Sequence, residues 1–237
     1  MLVGPPPLAT QLVQADRAFR AAVAHWDDAR ALPRAAADAE ARQQLIELRL
    51  AGDDRLYRVV IPALPERLRR AVVDDVQAHR ELVAITPTTG PPLRLGAALP
   101  LAGLRALYRE GLRRSGVAWQ LLAAVNFVET DFGRVRESSA SGAQGPMQFM
   151  PATWQAYGGG TDVHDPRAAI LAAARFLRAA GAPGDVRAAL HRYNPSDAYV
   201  NAVLRFASRI RRDPKGLAAL YARRVFVRGE HGWRRRN

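Results

Sequence analysis

The sequence predicts an all-α protein in which a helical N-terminal extension precedes a compact helical domain. Apolar residues recur every three or four positions through most of the chain, and no internal repeat or alternating strand pattern stands out. Hydrophobic residues make up 49% of the 237 positions, so the chain can bury a substantial core. No apolar stretch reaches the roughly 18 residues that a bilayer span needs. The first residues show neither a charged n-region nor an apolar h-region, so no signal peptide is predicted.

The extension, residues 1–85, is predicted to form three amphipathic helices. The first carries an apolar stripe from Leu12 to Trp26 and ends before Pro33, which cannot continue a helix. The second spans about residues 35–50 and the third about residues 65–85. Residues 86–99 are rich in Pro and Gly, which predicts a linker.

The second domain is predicted to span residues 100–212 and to consist of shorter helices. Gly116 follows the first of them as a stop signal, and the three glycines 158–160 end another. Asp165 and Pro166 form an N-cap followed by a proline at the first helical position. Residues 213–237 are predicted to add a C-terminal helix and a basic tail.

Charge and cysteine content narrow the classes of function. The net charge is +13 and comes almost entirely from arginine, because Lys215 is the only lysine. Such a charge favours an anionic partner, namely nucleic acid, a membrane surface or an acidic polymer, although arginines spread over helix faces for solubility explain it equally well. The chain has no cysteine, which excludes disulfides, thiolate zinc sites and cysteine nucleophiles.

One carboxylate falls on a helix face that should be buried. Glu129 lies four residues after Val125 and eight after Leu121, so its side chain points the same way as theirs. It is either a partly exposed carboxylate paired with Arg134 or Arg136, or a general acid. In the second case the apolar surroundings would raise its pKa and keep it protonated near neutral pH.

A loop rich in small residues follows Glu129 and leads into a second unusual segment, "SASGAQGPMQFMPATW" at residues 139–154. Gly142 and Gly145 would allow the backbone to approach a ligand closely. Gln148 offers both a donor and an acceptor for a sugar hydroxyl or acetamido group. Taken alone, the segment fits equally well a tight turn before a helix that packs its methionines into the core.

Four segments in this order resemble the catalytic domain of lytic transglycosylases: "VNFVETDFGR", "SGAQGPMQFMPATWQAYG", "HDPRAAILAAARFLRAAGAP" and "ALHRYNPSDAYVNAVL". The resemblance covers about residues 100–212 and includes soluble enzymes and membrane-bound B-like ones. It implies a lysozyme-like (goose-type) helical fold that cleaves the glycan strands of peptidoglycan. Residues 9–85 more weakly resemble an extension found before such domains in actinobacterial proteins.

The resemblance implies a role for individual residues. Glu129 matches the sole catalytic acid and base, with Thr130 in place of the commoner serine. Ser139 matches a substrate-contacting serine, although Ser138 or Ser141 could take its place. Tyr193 and Asn194 match a pair whose tyrosine sits across from the glutamate and helps to orient it. The sugar groove is assigned to three further residues, Met147, Gln148 and Met150.

The implied reaction needs one carboxylate and no metal or cofactor. Protonated Glu129 would cleave the bond between N-acetylmuramic acid and N-acetylglucosamine, and the C6 hydroxyl would then close a 1,6-anhydro ring. A hydrolase of the goose-type lysozyme kind remains open, with Glu137 or Asp131 as the second carboxylate. A nucleic-acid-binding helical protein is the second alternative. The substrate implies an extracytoplasmic location, and residues 1–85 are expected either to support the catalytic domain or to dock an envelope protein.

Overall fold

The computed structural model describes residues 7–86, 94–229 and 232–235 and confirms the all-α prediction. The described residues form eleven α-helices, a short 3₁₀ helix at Ile61–Ala63 and one small hairpin. The helices are α1 (Leu8–Ala22), α2 (Arg34–Gly52), α3 (Asp54–Val60), α4 (Glu66–Ile85), α5 (Leu101–Ser115), α6 (Trp119–Thr130), α7 (Pro151–Tyr157), α8 (Pro166–Ala179), α9 (Val186–Tyr193), α10 (Asp197–Arg212) and α11 (Gly216–Ala222).

Helix boundaries follow the local signals in most places. The Asp165 side chain accepts a hydrogen bond from the Ala168 N–H at 2.6 Å and so begins α8 as predicted. Gly116 ends α5 in the left-handed conformation, with φ of 75°. The first helix is shorter than predicted, because it ends at Ala22 and leaves Trp26 in the following turn.

The 3₁₀ helix at Ile61–Ala63, helix α3 and the hairpin were not predicted. Asp53 accepts hydrogen bonds from the N–H groups of Arg55 and Leu56 and so begins α3, which lies between the second and third predicted helices. The predicted basic tail contains an antiparallel hairpin formed by β1 (Phe226–Gly229) and β2 (Gly232–Arg235). Its strands are only four residues long, too short for an alternating pattern to distinguish them from a loop.

The N-terminal helices share a core with the rest of the chain. Buried residues of α1, α2 and α4, including Phe19, Ala39 and Ala78, belong to the same apolar cluster as α5, α6, α8 and α10. The α4 helix packs along α10, and α1 packs on α2. A smaller apolar cluster around Leu12, Ile46 and Val72 completes the N-terminal part. This packing favours the supporting role for residues 1–85 over a separate docking hairpin.

A buried ionic cluster joins the two parts of the chain. Arg223, just after α11, bonds to Glu40 (3.3 Å), Asp75 (2.9 Å) and Glu47, and Arg209 of α10 bonds to Asp75. All five side chains are at most 8% exposed. Burial raises the pKa of Glu47 to about 8 against the opposing charge of Arg223. Burial also raises the pKa of Glu40 against the charges of Arg209 and Arg223.

The end of the predicted linker contacts the loop that follows Glu129. Residues 87–93 lie outside the described part of the chain, whereas Leu95 forms an isolated antiparallel bridge with Val135. The Arg136 side chain also donates to the Ala97 carbonyl at 2.7 Å. No helix in the described ranges is long and apolar enough to span a membrane.

Candidate functional site

The site is built around the carboxyl group of Glu129, in the last turn of α6. Earlier residues on its face, Leu121 and Val125, are buried in the core, while Glu129 itself is half-buried. Burial raises the pKa of Glu129 from 4.5 to about 7, although a hydrogen bond from Tyr199 opposes the shift. Close to neutral pH this carboxyl group therefore populates both the protonated and the ionised form, as a group that first donates and then accepts a proton requires.

Tyr199 is the residue that holds Glu129, and the sequence did not predict it. Its hydroxyl donates to Glu129 Oε1 at 2.6 Å, and its ring is almost fully buried. Ser196 begins α10 by accepting a hydrogen bond from the Tyr199 N–H, which places Tyr199 in the first turn. An aromatic residue three positions after the helix cap Ser196, on the inward stripe of α10, was the available signal.

Tyr193 packs against Tyr199 and so supports the pair formed by Tyr199 and Glu129. The sequence predicted that it would orient Glu129, but its hydroxyl donates to the backbone carbonyl of Met147 at 2.6 Å. Its ring stacks on that of Tyr199, with 6.5 Å between the centroids and 7° between the planes. Burial and the nearby charge of Glu129 raise the pKa of both phenols, so each remains a proton donor near neutral pH.

The carbonyl of Pro146 anchors the glycine-rich loop to α6. It accepts hydrogen bonds from Thr130 Oγ1 at 2.6 Å and from Asn126 Nδ2 at 2.8 Å, and the Tyr108 hydroxyl donates to Asn126 Oδ1. All these side chains are buried. The hydroxyl that Thr130 shares with serine is thus used to fix the loop, while Glu129 next to it faces the site.

Gln148 occupies a strained position in that loop. Its φ is 48°, a left-handed value that is uncommon outside glycine and often found at functional sites. Its Nε2 donates to the carbonyls of Gly145 (3.0 Å) and Glu137 (3.3 Å). Gly145 has φ of 72°, and a Cβ there would lie 2.1 Å from the Val163 carbonyl oxygen, so no side chain fits at this position.

The other predicted site residues differ in exposure. Ser139 is half-buried, and its Oγ accepts a hydrogen bond from the Ala143 N–H at 2.9 Å, which closes the turn. Met150 is 43% exposed and available to a ligand. Met147, by contrast, was predicted to line the groove, but its side chain is completely buried and it contributes only the carbonyl that Tyr193 uses. Asn194 is half-buried and caps the C-terminal end of α9.

The two carboxylates considered as partners of Glu129 are both bound to arginine. Asp131 lies 3.2 Å from Arg134 Nη1, and burial raises its pKa to about 6 against the charge of that arginine. Partial burial favours the neutral form of Glu137, but hydrogen bonds from Arg94 outweigh it and lower the pKa of this carboxyl group. Neither of them perturbs the pKa of Glu129, which depends on burial and on Tyr199.

Two cavities of the structure lie away from Glu129. Cavities of about 230 and 290 Å³ lie between α4 and α10, where Arg67, Asp74 and Arg212 contribute to their walls, and Glu129 lines neither of them. Among the described residues, no group of three or more His, Asp or Glu side chains could hold a metal ion.

Comparison with known proteins gives one match. A family model described as the transglycosylase SLT domain matches residues 106–209, a range that contains every predicted site residue. No curated protein and no solved structure matches the chain. The match confirms the predicted resemblance to lytic transglycosylases and, with the eleven helices, the predicted lysozyme-like helical fold. The actinobacterial type stays a prediction.

Proposed function

Because the chain carries a transglycosylase SLT domain, we propose that it is a lytic transglycosylase acting on peptidoglycan. The bond cleaved is the β-1,4 bond between N-acetylmuramic acid and N-acetylglucosamine, and the product carries a 1,6-anhydromuramyl end. The observation that supports this proposal most strongly is the pKa of about 7 of the half-buried Glu129, hydrogen-bonded to Tyr199. We also propose an extracytoplasmic location, since peptidoglycan lies there.

In the first step, protonated Glu129 donates its proton to the glycosidic oxygen. The bond breaks through an oxocarbenium-like transition state, and the acetamido group of the substrate stabilises the positive centre. Glu129 is left ionised, and the Tyr199 hydroxyl at 2.6 Å from Oε1 stabilises that charge. The hydrogen bond thus favours the state of Glu129 that exists between the two proton transfers.

In the second step, ionised Glu129 takes a proton from the C6 hydroxyl of the muramic acid, and that oxygen attacks C1. The ring closure restores the protonated acid and consumes no water. Glycosidases with two carboxylates would use the second one here, but Asp131 and Glu137 are each paired with an arginine. This pairing favours a mechanism in which Glu129 acts alone.

The groove is proposed to use the loop that Pro146 anchors. Gln148 and Ser139 supply polar groups for sugar hydroxyl and acetamido groups, and the exposed side chain of Met150 contacts the apolar face of a ring. Asn194 lies next to Tyr193 at the end of α9 and contributes a further polar group. Met147 is not part of this proposal, because its side chain is buried.

Digestion of purified peptidoglycan sacculi, followed by mass spectrometry of the released muropeptides, tests the function. The proposal predicts anhydro products, each lighter by one water than the product of hydrolysis, and no new reducing ends. Reducing ends as the main product would instead assign a hydrolase of the lysozyme type, with Glu137 and Asp131 as the next carboxylates to replace. Undigested sacculi would contradict both assignments.

A further inference from the structure

The net positive charge of the protein comes from one part of the chain. Residues 1–86 contain 12 arginines and 12 acidic residues, whereas residues 94–237 contain 23 basic and 10 acidic residues. The whole excess of +13 therefore belongs to the part that includes the SLT domain. Arginines retained for solubility alone would not need this separation, because the N-terminal helices are neutral overall.

Five of these arginines converge where three helices end. Arg113 and Arg114 lie in the last turn of α5, Arg178 in the last turn of α8 and Arg192 in the last turn of α9. Arg109 lies one turn before Arg113. All five side chains are exposed, and we call them the basic ridge.

Contacts between the helices bring the ridge together. Arg178 Nη1 lies 3.9 Å from the position of a Cβ on Gly116, directly after α5. Arg192 Nη1 lies 3.5 Å from the Ala180 carbonyl oxygen, directly after α8. The α5 and α8 helices are packed neighbours, as are α8 and α9. The three helix ends therefore present their guanidinium groups on one continuous surface.

The acidic residues near the ridge neutralise it only in part, because Glu110 pairs with the ridge cation Arg114. Glu110 is engaged by Arg114 at 2.8 Å and by Arg167 at 2.5 Å, and Asp185 caps the N-terminus of α9. Arg109 and Arg113 are four residues apart on one helix face, a repulsive arrangement of like charges. The helix dipole attracts cations to the C-terminal end of a helix and so explains one arginine in the last turn of each helix. It does not explain Arg109, or the presence of both Arg113 and Arg114 in the last turn of α5.

We propose that the basic ridge docks a phosphodiester polymer of the cell envelope. Guanidinium groups match phosphate oxygens in a bidentate fork, which lysine cannot do, and every ridge cation is an arginine. Nucleic acid is disfavoured, because proteins that bind single strands interleave basic residues with exposed aromatic rings. Neither the exposed positions of α5 and α8, which carry Arg and Ala, nor those of α9, which carry Arg, Ala and His, include a Phe, Trp or Tyr. The assignment of the polymer to the cell envelope rests on the proposed function, whereas the binding of a phosphodiester polymer does not.

Binding of a synthetic polyglycerol phosphate of about 20 units, measured at several salt concentrations, tests this inference. The ridge variant carries Arg109→Glu, Arg113→Glu and Arg178→Glu. The control variant carries Arg42→Glu, Arg49→Glu and Arg58→Glu, which produce the same charge change at exposed positions of α2 and α3. Each lost phosphate contact should reduce the slope of log affinity against log salt by about 0.7, so the slope should fall by about two in the ridge variant.

We expect the ridge variant to lose affinity at least about tenfold and the control less than about threefold. The same three ridge residues changed to Gln should give an intermediate loss, and circular dichroism should show that both variants fold. Equal losses in ridge and control variants would overturn the inference, as would equal affinity for poly-L-glutamate of the same charge. Tighter, ridge-dependent binding of a 20-nucleotide DNA would assign the ridge to nucleic acid instead. Because binding needs no turnover, this result is independent of the test of the proposed function.

Discussion

Removing the Tyr199 hydroxyl should shift the pH range in which the enzyme works. That hydroxyl donates to Glu129 Oε1 at 2.6 Å and so favours the ionised carboxylate. In Tyr199→Phe this support is lost, and the pKa of Glu129 should rise further above its value of about 7. The side chain keeps its ring, so the stacking on Tyr193 is preserved.

The size of the shift follows from the strength of the hydrogen bond. A hydrogen bond to a charged group contributes about 1.5–3 kcal/mol, and one pKa unit corresponds to about 1.4 kcal/mol. The pKa of Glu129 should therefore rise by about one to two units. Because the protonated acid is the form that begins the reaction, the decline of activity at high pH should move up by the same amount.

The assay is the pH dependence of kcat/KM on a soluble glycan, which reports the pKa of the free enzyme. Tyr193→Phe is the matched control, because its hydroxyl bonds to the Met147 carbonyl and not to Glu129. The account predicts a decline near pH 7 in the parent and in Tyr193→Phe, and near pH 8 or above in Tyr199→Phe. An unchanged decline in Tyr199→Phe, or an equal shift in both variants, would show that the Tyr199 hydroxyl does not set the pKa of Glu129.

Three further predictions concern stability. Gly145→Ala should destabilise the fold by about 2 kcal/mol or more and lower activity, because its Cβ would collide with the Val163 carbonyl; thermal melting and turnover measure the two effects. Arg223→Met should lower the free energy of unfolding in urea by about 3–5 kcal/mol, because it leaves buried carboxyl groups without their partner. In the control Arg224→Met, which loses a partly exposed pair with Asp38, the loss should be less than about 1 kcal/mol. Because its pKa is raised, protonated Glu129 stabilises the fold below pH 4.5, and this contribution is lost as the pH rises through about 7. The free energy of unfolding of Glu129→Gln, relative to that of the parent, should therefore increase by up to about 3 kcal/mol between pH 4 and pH 8.5. An equal difference between the two proteins at both pH values would contradict the raised pKa.

The helices and the acid were predictable because their signals are local. The apolar spacing around Glu129, the cap at Asp165 and the stop at Gly116 each act within one or two turns, and the structure contains all three. Ordered motifs also sufficed to recognise the SLT domain. Where an observed helix boundary differs from the predicted one, as before Trp26, tertiary packing ends the helix although the apolar spacing continues.

What the sequence did not reveal depends on contacts between distant segments. Tyr199 and Glu129 form a hydrogen bond although they are 70 residues apart in the sequence, so no rule of local spacing connects them. Met147 was assigned to the groove by its neighbours in sequence, but the packing of the loop against α6 turns its side chain into the core. The cluster around Arg223 combines residues from α2, α4 and α10, and only the assembled fold brings their opposite charges into contact.

Turnover of purified sacculi by Glu129→Gln is the decisive test of whether the carboxyl group of Glu129 performs the proton transfers. The substitution keeps the shape of the side chain and removes the ionisable group. The account predicts that release of anhydromuropeptides is lost while glycan binding and the folded structure are retained. Substantial residual release of the same products by the folded variant would contradict it.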